Sequence, residues 1–497
     1  MKIVVLGAGT AGLIAALMLR EKYTLYPIAV VKSGEIGIVG VGEGSTEHWA
    51  RFMEYIGLSI EDVIFNTRAT VKIGILFKDW NLGEEYIHSI HQNPFSKHFR
   101  MDLYHQLWAQ STPNNKFPLV PFFEQIFYKN NVPIHPNLRI SNQYHFDTFK
   151  LNEYLLKKCS ERNIGILDTK VTDATVCQAT GNITELITEN SILKADFFID
   201  CSGFKRVLAS KLNNKWISKS EYLPMNHAIA FPTERDSNAE IEPYTTTTAL
   251  SSGWSWRIPT QDRYGNGYVY NDNYINADQA LSEISKLLNI NVEKVARDIK
   301  FEAGKVDKFW CKNVVSVGLC GSFAEPLEAQ SIGFTIVQMF ALLEYLDTWK
   351  VYEPTVNNYN NLMDSVFENI IDYLQLHYFV KRDDTKFWRD KPFTPTTFNA
   401  DTREAFRQGV NNISMFKFNR YAMFGPINWY QVMQGIGLID KEFILGKTKD
   451  TKYKNNFKED MLRWANEARQ EARDTTVMSH KEFLNCVNKS YIKKYEN

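Results

Sequence analysis

The chain opens on an apolar run, Ile3-Val4-Val5-Leu6, that enters Gly7-Ala8-Gly9-Thr10-Ala11-Gly12 without a spacer. From Leu13 to Arg20 apolar residues recur at helical spacing, and Leu25 to Val31 is a second β-rich run. The pattern predicts strand, glycine turn, helix and strand, the order that a dinucleotide site needs. Gly7 permits the tight turn, Gly9 lets the backbone reach a pyrophosphate, and Gly12 lets helix and strand pack closely. Thr10 and Ala11 open the helix, whose free N–H groups suit a diphosphate. The same fingerprint asks for an acid at the end of the second strand. Val30-Val31-Lys32-Ser33 supplies none. Either Glu35 reaches back or Lys32 makes a different cofactor contact.

Further along, Gly42, Glu43, Gly44 and Ser45 form a small-residue loop suited to lying against a cofactor, and Ser45-Thr46 is expected to cap the helix through Phe52 and Tyr55. Residues 67 to 80 alternate like a strand, which places Lys72, Gly74, Leu76 and Lys78 on one face. A loop-rich stretch from Tyr86 to Pro133 carries His88, His91, His98 and His105 without a metal-ligand spacing, and reads as a variable substrate loop. An apolar strand ends in Asp200-Cys201-Ser202-Gly203-Phe204. Asn266-Gly267 reads as a tight hairpin turn in a β layer that covers a ligand pocket. Val314 to Ser322 returns to the strand-and-small-turn style, and a long apolar helix is expected from about Ile332 to Leu346. The text beyond is mainly helical, and its last fifty residues read as a solvated charged face. The expected organisation is a core over 1–345, with substrate loops at 81–140 and a β layer at 215–275, followed by a helical region over 346–497.

Composition narrows the classes. The 57 basic and 57 acidic side chains cancel, which gives no reason to expect nucleic acid or an anionic membrane as partner. Aromatics at 13% suit a pocket for flat ligands, although heavy core use explains them equally. The six cysteines contain no C-x-x-C pair and read as reduced thiols of a cytosolic protein. Residues 2 to 19 imitate a secretory signal, but the glycine fingerprint inside that run accounts for it better.

Taken together, several stretches resemble the flavin-dependent halogenases of the tryptophan-halogenase type. They are Gly7-x-Gly9-x-x-Gly12, the Gly42-Glu43 loop, Asp200 to Phe204, Trp254-x-Trp256-x-Ile258-Pro259, Gly265 to Tyr270, and Glu325-Pro326-Leu327-Glu328. The W-x-W-x-I-P element separates this family from related flavin monooxygenases. Order and spacing agree to about residue 345, with looser likeness at His377-Tyr378, Phe387-Trp388 and Asn428-Trp429. The resemblance implies a mixed α/β fold: a Rossmann-like FAD-binding domain of the p-hydroxybenzoate-hydroxylase type, a substrate-covering sheet and a helical C-terminal part. It also implies FAD reduced by a separate flavin reductase, oxidation of halide to hypohalous acid, and a lysine with a glutamate beside an electron-rich arene.

Carried over residue by residue, the resemblance places Glu328 on the family glutamate, and Trp254, Trp256, Ile258 and Pro259 on the wall that keeps substrate from the flavin. Val171 and Leu319 fall on cofactor positions. The halide falls near Gln330 and Ser331, where Ala329-Gln330-Ser331 replaces the family's Ser-Thr-Gly and glycine is delayed to Gly333. At the family lysine this chain has Leu76. Lys78, two residues on and on the same strand face, is the expected substitute. The clamp for free tryptophan is not found in residues 86–133 or 425–445, so a different indole, phenol or aniline is expected. The alternatives are a flavin monooxygenase that hydroxylates, and a flavoprotein that has lost catalysis.

Overall fold

In the computed structural model the described residues are 1–35, 37, 43–89, 129–134, 143–290, 297–346, 351–407, 420–439, 463 and 476–495. The opening strand β1 (Ile3–Leu6), helix α1 (Thr10–Lys22) and strand β2 (Ile28–Lys32) form as the apolar pattern requires. β1 is central in a six-stranded sheet. It pairs in parallel with β2 on one side and with Phe197–Asp200 on the other, and Gly165–Asp168, Val314–Ser316 and Trp310–Cys311 extend the edges. All four β1 residues are buried, as are Gly12 to Leu19 of α1, because the helix lies between the sheet and other helices. A run this uniformly apolar belongs in the middle of layers rather than at a surface.

A second, seven-stranded sheet is mostly antiparallel. At one side β3 (Gly74–Lys78) lies next to the edge strand, β4 (Glu85–Ser89). Near its middle lies β5 (Gly253–Pro259), paired along its length with Arg263–Tyr270. Here the structure corrects the expected hairpin turn. Asn266 and Gly267 sit mid-strand, opposite Arg257 and Trp256, and the chain reverses at Thr260 to Asp262 instead. Gly267 is required for a different reason. A Cβ there would fall 2.0 Å from the Trp256 ring, so the indole lies against bare backbone.

Helix α2 (Gln330–Tyr345) is the long apolar helix the pattern predicted, and α3 (Glu353–Leu376) follows it. After α3 come shorter helices, α4 (Pro426–Gly435) among them. One apolar core runs from Ile3 through Trp254, Ile336 and Ile371 to Val487, so the C-terminal helices bury their faces in the same interior as the first strand. No described helix is long and apolar enough to cross a membrane.

Candidate active site

The C-terminal ends of the parallel strands converge where a dinucleotide belongs. Cys201 N–H donates to Leu6 O at 2.8 Å and Val317 N–H to Asp200 O at 3.0 Å, which stitches the three strand ends together. Gly7 adopts φ +113, and a Cβ there would lie 2.3 Å from Cys201 O. At Gly12 a Cβ would lie 2.0 Å from Gly7 O, whereas Gly9 faces open space. No side chain caps the N-terminus of α1 at Gly9, so the N–H groups near Thr10 and Ala11 are left for an anion. Leu319 sits in the turn Gly318–Cys320, whose Gly318 (φ +65) packs against Ala11. These residues fit a flavin dinucleotide.

At the end of β2 an acid stands on the neighbouring strand. Asp168 lies opposite Lys32 in register, accepts from Lys32 Nζ at 2.5 Å and from Gly34 N–H at 3.1 Å. Glu35 does not reach back; it pairs with Lys170 at 3.0 Å. Val171 begins the strand Val171–Val176 beside this group. Gly42 lies outside the described residues. Glu43, Gly44 and Ser45 lead into the helix His48–Ile56, whose N-cap is Glu47 without a side-chain bond, so Ser45-Thr46 does not cap it. Ser45 Oγ instead accepts Tyr144 N–H at 2.9 Å, and Thr46 Oγ1 pairs with His48 Nδ1. Burial pushes the Glu43 carboxyl up to about 7.

The centre of the constellation is Glu328, wholly buried in the turn before α2. Both of its oxygens lie 2.9 Å from His88 Nδ1, and His377 Nε2 is 3.0 Å from Oε1. The His377 contact is short but falls outside good hydrogen-bond geometry. Burial works against the carboxylate, but His88 and His377 together outweigh it and hold the carboxyl down to about 2. Burial lowers His377 in turn, although Glu328 opposes that shift.

The strand register separates Lys78 from Glu328. His88 stands opposite Ile75, and Tyr86 opposite Phe77. Directly opposed residues share a face, so the Glu328 side of the sheet carries Ile75, Phe77, Tyr86 and His88. Lys78, half-buried at the end of β3, is opposite Glu85 on the other face with Leu76 and Ile87. The alternation expected from 67 to 80 breaks because Thr70–Val71 belongs to another small sheet and β3 starts only at Gly74. Lys72 falls in that break. It is 1% exposed, and its Nζ donates to Ser45 O at 3.0 Å. Burial lowers the Lys72 ammonium to about 8 against the opposing pull of Glu328 and Glu47. Gly44 explains how close it comes: a Cβ there would lie 3.2 Å from Ala329 Cβ and 3.3 Å from Lys72 Nζ. The ammonium and Ala329, the residue that follows Glu328, therefore both pack against Gly44.

Ala329 is left-handed (φ 53), and α2 begins at the next residue. That succession turns neighbouring N–H groups into a concavity at a helix N-terminus, a fit for an anion. The side chains of Gln330 and Ser331 are engaged elsewhere: Gln330 Nε2 donates to Glu325 O at 3.1 Å, and Ser331 Oγ donates to Gln330 Oε1 at 2.9 Å.

On β5, Trp254 is buried and its ring lies 6.2 Å from that of Trp256, with Ile258 also buried. Trp254 Nε1 donates to Tyr378 OH at 3.1 Å, and Tyr378 donates to Glu325 Oε2 at 2.8 Å. Burial raises Glu325 to about 8. Pro259 O accepts Thr70 Oγ1 at 2.6 Å, which ties the end of the wall to the segment preceding Lys72. His377 and Tyr378, adjacent at the end of α3, thus grip Glu328 and Glu325, three residues apart in one loop.

Sequence reasoning missed His88, which it left among loop histidines, and it passed over Lys72. His377-Tyr378 and Asn428-Trp429 carried a signal only as loose likenesses. Of the other loop histidines, His91, His98 and His105 lie outside the described residues. Among the described residues no group of three His, Cys, Asp or Glu is placed to hold a metal ion.

Comparison with known proteins identifies the family. The tryptophan halogenase family profile matches residues 2–445. Tryptophan 6-halogenase ThaL of Streptomyces albogriseolus is 29% identical over 437 residues, 82% of each chain. Tryptophan 7-halogenase RebH of Lentzea aerocolonigenes is 26% identical over 479 residues, 88% of this chain and 90% of that one. The fold of BrvH, a flavin-dependent halogenase from Brevundimonas sp. BAL3, superposes with a TM-score of 0.82 at 24% identity, covering 98% of this chain and 99% of that one. The chain belongs to the tryptophan halogenase family, flavin-dependent enzymes that halogenate aromatic substrates.

Proposed function

We propose that Lys72 and Glu328 are the working pair of this halogenase. The observation that carries the reading is that both are buried and charge-coupled, with the Lys72 ammonium and Ala329 packed on the same glycine and Glu328 clamped by His88 and His377. Bound reduced FAD supplies the oxygen activation that turns halide into hypohalous acid. A dehydrated ammonium with a lowered pKa suits holding that oxidant by hydrogen bond, or carrying the halogen once deprotonated. The Glu328 carboxylate orients the oxidant and takes up the arene proton. The helix N-terminus at Ala329 to Ser331 holds the halide. The wall of Trp254, Trp256, Ile258 and Pro259 keeps the arene from the flavin, and the Gly7–Gly12 turn with Leu319 holds the cofactor.

A separate flavin reductase supplies the reduced flavin, since the sequence has one glycine fingerprint and no second for NAD(P)H. The substrate is an electron-rich indole, phenol or aniline, and free tryptophan is not its best member. The test supplies reduced FAD from a generic reductase, with halide and a panel of indoles, phenols and tryptophan, and reads products by mass spectrometry. Halogen incorporation supports the reading. Oxygen incorporation with halide-independent turnover, or NADPH oxidation by the protein alone, contradicts it.

A further inference from the structure

The imidazole of His88 is held from both sides, and the two sides differ in kind. On one, Nδ1 faces the Glu328 carboxylate, which only accepts. On the other, Nε2 lies 3.0 Å from Asn428 Nδ2. The direction of the Asn428 amide is fixed, because its Oδ1 accepts Gly425 N–H at 2.8 Å at the start of α4. The amide NH2 must therefore point at His88, where it donates. A ring nitrogen that receives a hydrogen bond carries no proton, so the His88 proton belongs on Nδ1, aimed at Glu328.

His377 has a similar but softer arrangement. Tyr86 OH lies 2.8 Å from its Nδ1, leaving Nε2 toward Glu328. A phenol hydroxyl can turn and accept, whereas the Asn428 amide, pinned by Gly425, cannot. The groups facing this cluster are His88 and Tyr86 from β4, Tyr373 and His377 from α3, Asn428 from α4, Glu328 from its own turn, and Lys72 with Glu47 by charge.

We propose that Asn428 is a positioning residue, one that fixes the His88 tautomer so that its N–H holds the Glu328 carboxylate for its part in halogenation. The inference rests on Glu328 being the working carboxylate, and one of its readouts needs no turnover.

The full-length protein is labelled with 15N-histidine, and the His88 ring signals are identified by their loss in His88→Gln. The expected wild-type result is a proton on Nδ1 and a bare Nε2. Asn428→Asp keeps the acceptor for Gly425 N–H and replaces only the donor with an acceptor. In that variant a proton is expected on Nε2. Halogenation is expected to fall by about tenfold or more, the usual scale for partners that orient an active group. A wild-type His88 protonated on Nε2 overturns the proposal. So does an Asn428→Asp protein whose His88 tautomer is unchanged, or whose rate matches wild type. Should Asn428→Asp not fold, the wild-type spectrum decides. A protein with the expected tautomer but no halogenated product would overturn the halogenase reading and leave the tautomer assignment standing.

Discussion

Glu328 holds both of its oxygens 2.9 Å from Nδ1 of His88, a residue 240 positions earlier in the chain. The contact joins the edge of the seven-stranded sheet to the turn before α2. Both side chains are wholly buried, so neither partner has water as a substitute. Removing one strands the other, a loss on the order of 3–5 kcal/mol for a buried pair.

That burial sets an acid limit. Glu328 is held down to about 2, below the ordinary 4.5 of a glutamate in the unfolded chain. A depressed folded-state value means the stabilisation is present above the unfolded pKa and is lost as pH falls through the folded one. Stability should therefore drop between about pH 4.5 and about pH 2 with a component that vanishes in Glu328→Gln. Urea unfolding of both proteins across that range checks it.

Lys72 acts in the opposite sense. Its ammonium is lowered from 10.5 to about 8, so between those values the unfolded chain binds more protons and stability rises with pH. Below about pH 8 the buried charge is a standing cost on the order of 1–3 kcal/mol. Lys72→Met should keep or raise the melting temperature at pH 7, with the difference shrinking above about pH 10, while halogenation is lost. A Lys72→Met protein that melts well below wild type at pH 7 would show the lysine to be a stabilising element instead.

Gly267 has no room for a side chain. Its Cβ position lies 2.0 Å from Trp256 and 2.6 Å from Ile229 O. Gly267→Ala must displace the indole from the wall, and overpacking of that kind costs about 1–3 kcal/mol. Thermal unfolding and Trp256 fluorescence should both change. If neither does, the close approach of ring to backbone is not a constraint.

Much of this arrangement was legible in the residues. The first strand, the glycine turn, α1 and α2 follow from apolar spacing alone, since each buries a continuous run. The Gly267 error has a clear origin: Asn-Gly is a turn signal only when a turn, and not a packed ring, is what excludes the Cβ. Asp168 could not be placed beside Lys32 from the sequence, because parallel pairing with β2, not sequence distance, brings them together. The expectation that Lys72 shares a face with Lys78 came from extending one period across 67–80. The chain leaves one sheet at Val71 and enters another at Gly74, so face assignments do not carry across. His88, His377 and Asn428 lie on three distant elements, and no local pattern announces that they meet.

The halide segment gives a further expectation. Gln330 and Ser331 turn their side chains onto Glu325 O and onto each other, so the anion is left with backbone N–H groups. Such a site holds a small ion less tightly, and bromide and iodide are easier to oxidise than chloride. Bromide or iodide should outcompete chloride in a mixed-halide reaction read by mass spectrometry. A clear chloride preference would contradict this.

The most direct test of the Lys72–Glu328 assignment is one comparison of halogenated product from wild type, Lys72→Ala, Lys78→Ala and Glu328→Gln, with FAD binding measured in each. Lys72→Ala and Glu328→Gln should retain FAD yet lose product by about 100-fold or more, the scale of a positioned acid–base group. Lys78→Ala, on the far face of the sheet, should stay near wild type. Full activity in Lys72→Ala together with loss in Lys78→Ala would contradict the account.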